Sequence, residues 1–331
     1  MKHANISIFI PHIGCPNKCS FCNQNSISST LKAPDKDSVR TILYNAFQKF
    51  DGDLSNSQIA FFGGSFTAIN RKLMIDLLEV ANEYVGDGKF SSIRISTRPD
   101  CIDEEILDIL SYYSVKSIEL GAQSMNDNTL FLNNRGHTAK DVINASNLIL
   151  SRDFELGLQM MLGLYGDTEK DAFKTAEVLA SLNPQTVRIY PTLVLKNTHL
   201  SKLYELKEYI PMSLEDAVRI SAKLLGFFED KGIRVIKLGL HDSQTIQSDY
   251  LAGPYHPAFR ELCESRVFIN RLTDTFETKG FYKVYVNSKF ISKALGQRRE
   301  NINILNKLGY KVKFFQDDTI KVGSFKIEKG E

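Results

Sequence analysis

Short apolar runs alternate with amphipathic stretches from residue 5 to about residue 240 of this 331-residue chain. The runs are rich in Ile, Val and Phe, and several are almost continuously apolar, which is typical of strands buried on both faces. They are ISIFIP (6–11), QIAFFGG (58–64), SIRIST (92–97), SIELGAQ (117–123), ELGLQMML (155–162) and TVRIYPTLVL (186–195). Several of the stretches between them begin with Ser, Thr or Asp and then acidic residues, as helices do. About six βα units in succession predict an α/β fold with a parallel sheet, either doubly wound or a full or partial (β/α) barrel.

The rhythm changes after residue 240. A helix over 214–232 is expected to be the last of the βα series, and residues 241–257 are rich in turn-forming types. A helix follows over about 258–278, and the remaining residues alternate strand, two short helices around Gly296, and two more strands. The sequence therefore predicts a barrel over 1–240, a connecting loop and helix over 241–280, and a small α+β domain over 281–331.

Composition and hydropathy exclude several classes of protein. The chain is 43% apolar and 24% charged with a formal net charge of +2, as expected of an ordinary globular protein. No window approaches the roughly 18 consecutive apolar residues that a membrane span requires. The short apolar run near the N-terminus has no small-residue cleavage site, so it resembles a strand more than a signal peptide. We expect a soluble cytoplasmic protein that does not enter a membrane.

Three of the five cysteines, Cys15, Cys19 and Cys22, lie within eight residues of one another. An odd number with this clustering disfavours a disulfide framework and favours metal binding in a reducing cytosol. Thiolates suit an iron–sulfur cluster or zinc. A structural zinc needs four ligands, so a fourth would have to come from His12, Cys101 or elsewhere. Three ligands on a cubane instead leave one iron open for catalysis.

The segment CPNKCSFC (15–22) resembles the CxxxCxΦC motif of the radical S-adenosylmethionine (SAM) superfamily, in which Φ is aromatic. This resemblance implies that the three cysteines bind a [4Fe–4S] cluster and that the amino and carboxylate groups of SAM chelate the fourth iron. It also implies that electron transfer cleaves SAM to a 5′-deoxyadenosyl radical, that the fold is a full or partial βα barrel, and that an electron donor such as ferredoxin or flavodoxin is needed. Phe21, at the aromatic position, would stack on a purine or fill a gap in the core.

A glycine pair, Gly63 and Gly64, ends the second predicted strand. Glycine allows a ligand to approach the backbone closely, and the carboxyl edge of the strands is where βα barrels keep their sites. The pair resembles the GGE-type motif that contacts the SAM amino group in this superfamily, with Ser65 in place of Glu. The form GGxFTA resembles the Elp3-like branch.

Polar residues at the following strand ends resemble the same branch, in the motifs TRPD, IELGAQS, NRGHT and QMMLGLYGDT. An Arg is suited to a carboxylate because its planar fork can bind both oxygens. Tyr190, in the last predicted strand, is expected either in the barrel mouth or in the core. The residues that the resemblance implies near the SAM sugar or carboxylate are Ser96, Arg98, Gln123, Arg135 and Gln159.

Two departures limit the resemblance. The Elp3 proteins proper carry a C-terminal acetyltransferase domain, and the residues after 240 are too few to hold one, so their full wobble-uridine chemistry is not expected. Oxygen-independent coproporphyrinogen oxidases have another Cys two residues after the third, where this chain has Gln24. This difference disfavours a role in haem synthesis.

Basic residues are concentrated at the C-terminal end. Residues 281–331 contain eleven Lys and Arg against five Asp and Glu, as expected of a phosphate-binding module. ISKALGQRRENINIL (291–305) resembles the helix–GxxG–helix core of KH domains, which clamp a nucleic-acid backbone, with Arg299 in place of the second Gly. The resemblance implies RNA contacts from Lys293, Gln297, Arg298 and Arg299. A solvated basic face on a small domain is the alternative.

These features predict a radical SAM enzyme that modifies structured RNA such as tRNA. Two alternatives stay open from the sequence. One is radical chemistry on a small metabolite or tetrapyrrole, as in coproporphyrinogen oxidases. The other is a non-catalytic RNA-binding protein with a structural zinc at the three cysteines.

Overall fold

The computed structural model describes residues 4–10, 14–23, 34–49, 54–240 and 243–330. A sheet of seven parallel strands, hydrogen-bonded in chain order, forms a partial (β/α) barrel and confirms the α/β fold. Its strands are β1 (Ala4–Ile10), β2 (Ser57–Gly63), β3 (Ser92–Thr97), β4 (Val115–Gln123), β5 (Glu155–Leu162), β6 (Thr186–Pro191) and β8 (Arg234–Leu238).

Helices connect these strands, as the amphipathic stretches predict. Thr138 and Thr168 each begin a helix with a capping box, in which the hydroxyl accepts from the amide of an Asp three residues on. The helices are α1 (Lys36–Lys49), α2 (Arg71–Asn82), α3 (Glu104–Tyr112), α4 (Asp127–Leu132), α5 (Ala139–Leu150), α6 (Glu169–Ser181), α7 (His199–Glu205) and α9 (Gln244–Asp249). Within the described ranges, none of the helices combines the length and the apolar character needed to cross a membrane.

The last strands differ from the expectation. The sequence pattern does not predict β8, because exposed Arg234 and polar Lys237 interrupt its apolar residues at the edge of the sheet. The expected strand over 186–195 is two strands, since β6 ends at Pro191, whose ring removes a backbone donor. The remainder, β7 (Val194–Leu195), pairs antiparallel with β9 (Tyr250–Ala252) in a separate two-stranded ribbon.

The chain divides into two compact units that interleave along the sequence. The first comprises Met1–Met212 and Lys231–Pro254, and the second comprises Ser213–Asp230 and Tyr255–Glu331. The second unit is a small α+β domain, as expected, and its helices are α8 (Leu214–Asp230), α10 (Phe259–Asp274), α11 (Ile291–Leu295) and α12 (Glu300–Lys307). The boundaries expected at residues 240 and 280 stay predictions.

A three-stranded sheet supports the second unit. Its central strand β10 (Gly280–Val286) pairs in parallel with β11 (Tyr310–Gln316) and antiparallel with β12 (Phe325–Lys329). Buried Phe268, Leu272, Tyr282, Val284 and Leu305 form its core. This core brings α10, the central strand and α12 together.

One face of the seven-stranded sheet is buried and charged. Glu119 on β4 is 1% exposed and accepts hydrogen bonds from Arg94 of β3 (3.0 Å) and Gln159 of β5 (3.1 Å). It also accepts two from Arg188 of β6, at 2.6 and 2.8 Å. Arg94 further donates to Glu155 at 3.0 Å. These five residues, the Glu119 network, replace the bulky aliphatic side chains that usually fill a βα barrel.

Replacing Glu119 with Ala should destabilise the fold strongly, because it leaves the buried guanidinium of Arg94 and the half-buried one of Arg188 without their shared carboxylate. Removing one partner of a buried pair costs about 3–5 kcal/mol. We expect the free energy of unfolding, measured in urea, to fall by about that amount. The control is Glu104→Ala, which removes a solvent-exposed partner of Arg152 and should cost less than about 1 kcal/mol. Equal losses in the two variants would contradict the role of the network.

Candidate active site

The cysteine loop (residues 14–23) packs directly on the loop that follows β2. Gly14 has a φ of +79°, and a Cβ there would lie 2.5 Å from the Ser65 carbonyl oxygen and 2.7 Å from the Ile69 nitrogen. Any other residue would push the two loops apart. Gly14 therefore brings the cysteines to the carboxyl end of β2.

The three cysteines differ in exposure. Cys19 is buried, whereas Cys15 and Cys22 are half-buried. Burial raises the pKa of the Cys15 thiol, and this effect outweighs the hydrogen bond from the Ser65 backbone and the positive charge of Arg135. Because cysteine binds a metal as the thiolate, Cys15 would have to lose its proton on cluster binding.

Among the residues that the structure describes, no three His, Cys, Asp or Glu side chains converge on the position of a single metal ion. An iron–sulfur cluster distributes its cysteine ligands over several iron atoms. The three cysteines of this loop need not converge on one point to hold a cluster. His12, considered above as a zinc ligand, and Gln24 lie outside the described residues.

Arg135 lies beside the cysteine loop. Its Nη1 donates to Cys19 Sγ at 3.0 Å, and its Nη2 donates to the Gly121 carbonyl at 2.8 Å. Its Nε is buried and has no partner among the described residues. The structure therefore places Arg135 next to an expected cluster ligand, and its contact with the SAM carboxylate stays a prediction.

Ser65 and Arg98 join the ends of β2 and β3. Ser65 Oγ lies 2.8 Å from Thr97 Oγ1 and accepts from the Arg98 amide at 3.1 Å. The Arg98 guanidinium donates to both carboxylate oxygens of Asp100, at 2.9 and 2.7 Å. Its Nη1 is buried without a described partner. Arg98 is thus fixed in orientation with one donor group unused.

The glycine pair serves the contact between β1 and β2. Gly63 has a φ of +109°, and a Cβ there would lie 2.8 Å from the Ile10 carbonyl oxygen. The Gly64 amide donates to that same oxygen at 2.6 Å. The close approach that these glycines permit is therefore first of all to the neighbouring strand.

Gln123 and Gln159 end up on the same edge of the sheet. Gln123 has a φ of +65° where the pairing of β4 with β5 shifts, which redirects its side chain, and its Oε1 is buried without a described partner. Gln159 Nε2 lies 3.3 Å from Ser96 Oγ and also belongs to the Glu119 network. Tyr190 is half-buried and lies two residues after Arg188 on β6. Burial raises the pKa of its hydroxyl.

Phe21 is half-buried and packs against a cluster formed by Val194, Leu200, Leu203 and Tyr209. Leu200 also donates its amide to the Ser20 carbonyl at 2.8 Å, which holds the cysteine loop against this cluster. Of the two roles expected for Phe21, the packing favours filling the core.

Two titratable groups in these motifs, buried His137 and half-buried Asp167, are not singled out by the sequence pattern. His137 is 3% exposed, and burial with the charge of Arg135 lowers its pKa to about 4. Asp167, in the loop after β5, has its pKa raised to about 7 by burial and by Asp171. The sequence places both in motifs, NRGHT and LGLYGDT, but exposure depends on the fold.

Several buried polar atoms of these residues have no described partner. Arg98 Nη1, Gln123 Oε1, Arg135 Nε and His137 Nδ1 are buried without described partners. A Cβ on Gly121 would lie 2.8 Å from Gln123 Nε2 and 3.3 Å from Arg135 Nη2. The ends of these two side chains therefore both lie against Gly121. An unsatisfied buried polar atom costs about 1–3 kcal/mol. Unpaired polar groups of this kind fit a polar ligand such as SAM.

In the second unit, the residues expected to contact RNA lie in and beside one loop. Gln297, Arg298 and Arg299 are exposed between α11 and α12. Arg298 and Arg299 have φ values of +50° and +60°. Lys293 pairs with Glu264 at 2.5 Å, so its ammonium is already engaged.

Comparison with known proteins decides the family. The model of the radical SAM superfamily matches residues 9–179, which is just over half of the chain. This chain belongs to the radical SAM superfamily. The model of the radical SAM C-terminal domain matches residues 184–268. The protein is therefore a radical SAM enzyme that uses a [4Fe–4S] cluster and SAM.

The relatives of this radical SAM enzyme include members of the Elp3-like branch. It is 31% identical over 210 residues to an uncharacterized protein of Methanocaldococcus jannaschii, covering 61% of this chain and 60% of the relative. It is 32% identical over 130 residues to a tRNA uridine(34) acetyltransferase of Methanocaldococcus infernus, covering 38% and 24%. It is 27% identical over 229 residues to an oxygen-independent coproporphyrinogen-III oxidase-like protein of Bacillus subtilis, covering 64% and 45%. The chain thus spans 24% to 60% of the length of these relatives.

The fold also matches a solved structure. The Elp3 of Methanocaldococcus infernus aligns with a TM-score of 0.63 at 17% identity, covering 82% of this chain and 64% of that one. At this identity the likeness shows the fold. Together with the sequence relatives, it supports an Elp3-like radical SAM barrel.

The low pKa of His137 makes stability depend on pH. The unfolded chain takes up a proton near pH 6.5, whereas the folded chain does so only near pH 4. Acidification therefore favours unfolding between these values. From pH 7.5 to pH 5 we expect a loss of roughly 2 kcal/mol from this residue.

The measurement compares the free energy of unfolding in urea at both pH values for the wild type and for His137→Gln. Asp167 changes stability in the opposite direction over much of this range, so only the difference between the two proteins is informative. The variant should lose less stability than the wild type on acidification. Parallel pH profiles would show that His137 does not have a lowered pKa.

Proposed function

We propose that this radical SAM enzyme modifies tRNA. The observation that carries the proposal is the sequence match of 130 of its residues to a tRNA uridine(34) acetyltransferase. A basic loop in the second unit adds support, because phosphate contacts dominate nucleic-acid affinity. The coproporphyrinogen oxidase-like relative supports the alternative, radical chemistry on a tetrapyrrole.

In this proposal Cys15, Cys19 and Cys22 hold the cluster. When bound, the cluster would pass an electron from an external donor to SAM, and the radical chemistry that follows would remove a hydrogen atom from the substrate. The chain binds and orients SAM through the orphaned atoms of Arg98, Gln123 and Arg135, while Gln159 and Ser96 offer an amide and a hydroxyl to the ribose. Each of the two guanidinium groups keeps one nitrogen without a described partner, and a guanidinium suits a carboxylate.

The loop from Gly296 to Arg299 is the proposed RNA contact. Arg299 stands where a KH loop has its second Gly, and its left-handed backbone is the conformation that normally favours glycine. Holding a non-glycine residue there costs on the order of 1 kcal/mol or more, and Arg298 is held in the same way. Strain retained at two exposed arginines favours a role for their side chains.

A cavity of about 270 Å³ opens beside this loop. Gly296, Gln297, Arg266 and Asn301 contribute to its lining. Asn301 is 3% exposed, and its Nδ2 donates to Ser265 Oγ at 2.7 Å and to the Ala294 carbonyl at 3.0 Å, which keeps the loop in place. In this proposal, a cavity beside the two arginines offers room for a base next to a bound phosphate.

Cysteine variants test the cluster site. After anaerobic reconstitution we expect about four iron and four sulfide per chain in the wild type, and loss of most of this iron in Cys15→Ser, Cys19→Ser and Cys22→Ser. Cys263→Ser is the matched control, since this cysteine is buried in the second unit. Cys101→Ser should also retain iron. Stoichiometric zinc that is lost in Cys101→Ser would support the zinc site instead.

Variants of the loop test RNA binding. The double change Arg298→Ala and Arg299→Ala, in the full chain, should weaken tRNA binding and lower the slope of log affinity against log salt by about 2. The control is Lys170→Ala with Lys174→Ala, two exposed cations on α6. Both variants should bind SAM as the wild type does. An unchanged salt slope in the arginine variant would remove this loop from the RNA site.

The substrate class is decided by the nucleosides of total tRNA. A strain without the gene should lack one modified nucleoside, and the wild-type gene should restore it while the Cys19→Ser gene should not. Unchanged nucleosides together with accumulated porphyrinogen would favour the tetrapyrrole alternative.

A further inference from the structure

Four successive residues, Asn133–Gly136, run alongside the cysteine loop and are called here the NNRG segment. At Asn133, the backbone carbonyl accepts from the Ser20 amide (3.1 Å) and Oδ1 accepts from the Ser20 hydroxyl (2.6 Å). Asn134 Nδ2 donates to the Lys18 carbonyl at 2.9 Å. Gly136 has a φ of +72°, and a Cβ there would collide with the Asn17 amide. The two segments therefore contact each other residue by residue.

The NNRG segment is itself fixed to the barrel. Asn133 is fully buried, and its Nδ2 donates to the carbonyls of Thr129 and Tyr165, both at 2.8 Å. Thr129 belongs to α4 and Tyr165 to the loop that follows β5. The segment thus connects the cysteine loop to two βα units through hydrogen bonds between protein groups. These hydrogen bonds tie the cysteine loop to the barrel.

Arg135 gives this contact an electronic consequence. Nη1 of this buried guanidinium donates to Cys19 Sγ at 3.0 Å. Its Nη2 donates to the Gly121 carbonyl, which fixes the orientation of the group. A charged hydrogen bond to a ligating sulfur withdraws electron density and stabilises the reduced, more negative cluster. Hydrogen bonds to the sulfurs are among the factors that set cluster potentials.

We propose that the NNRG segment positions the cysteine loop for cluster binding, and that Arg135 raises the reduction potential of the cluster through Cys19. Arg135 is in this respect a positioning residue, whose effect reaches the cluster through a ligand. The inference rests on the proposed role of Cys19 as a ligand, and it is independent of tRNA.

The first test measures the midpoint potential of the reconstituted full-length protein without SAM, by redox titration followed by electron paramagnetic resonance. Arg135→Gln should shift the potential to a more negative value, and Arg135→Lys should shift it less, because Lys keeps a charged donor. Arg98→Gln is the matched control, since it removes a nearby buried charge that has no hydrogen bond to Cys19. A shift in Arg135→Gln no larger than that in Arg98→Gln would overturn the electronic role. If Arg135→Gln takes up no iron, the potential shift of Arg135→Lys is compared with that of Arg98→Gln instead.

The second test addresses positioning. Ser20→Ala removes only the hydroxyl bond to Asn133, so it should release iron to a chelator faster than the wild type, at an unchanged potential. Ser151→Ala, an exposed hydroxyl at the end of α5, is its control. Equal rates of iron loss in the two would overturn the positioning role. Retention of iron by Cys19→Ser would instead show that the proposed ligand assignment is wrong.

Discussion

The buried carboxylate of Glu119 is the interaction on which the seven-stranded sheet depends. From β4 it accepts hydrogen bonds from arginines on β3 and β6 and from Gln159 on β5, so one side chain connects four strands. A carboxylate out of water is stable only with such partners, because an unpaired buried charge is very costly. This requirement makes the face of the sheet both buried and polar. Since Gln159 also lies 3.3 Å from Ser96, the network continues into the candidate site.

Parallel strands then bring distant parts of the sequence to one edge. Cys19 follows β1, Arg98 follows β3, Gln123 ends β4, and Arg135 comes after it. Because the strands are parallel, these strand ends lie at the same edge of the sheet. The folded chain leaves several polar atoms there without partners while it satisfies those of the cysteine loop through Asn133. The contrast separates the two roles at this edge. Satisfied groups hold the loop, and unsatisfied groups are available to a ligand.

Particular residues show where prediction from the sequence succeeds. The cysteine spacing and six of the seven parallel strands follow from local pattern alone, because ligand spacing and apolar periodicity are short-range properties. The strand β8 is missed since Arg234 and Lys237 break its apolar run at an edge, where charge is tolerated. His137 and Asp167 lie in recognised motifs, yet their lowered and raised pKa values come from burial that no motif encodes.

By itself, the sequence determined the radical SAM motif, the βα order and the basic loop with its two arginines. Only the tertiary structure decided which groups meet. Arg135 is 116 residues from Cys19 in the chain, and their contact depends on the packing of α4 and the loop after β5 around Asn133. A motif fixes the type of a side chain, whereas its hydrogen-bond partners and exposure follow from the free energy of packing the whole unit. For this reason the pattern predicted an arginine for a carboxylate, and the structure placed it first against a sulfur.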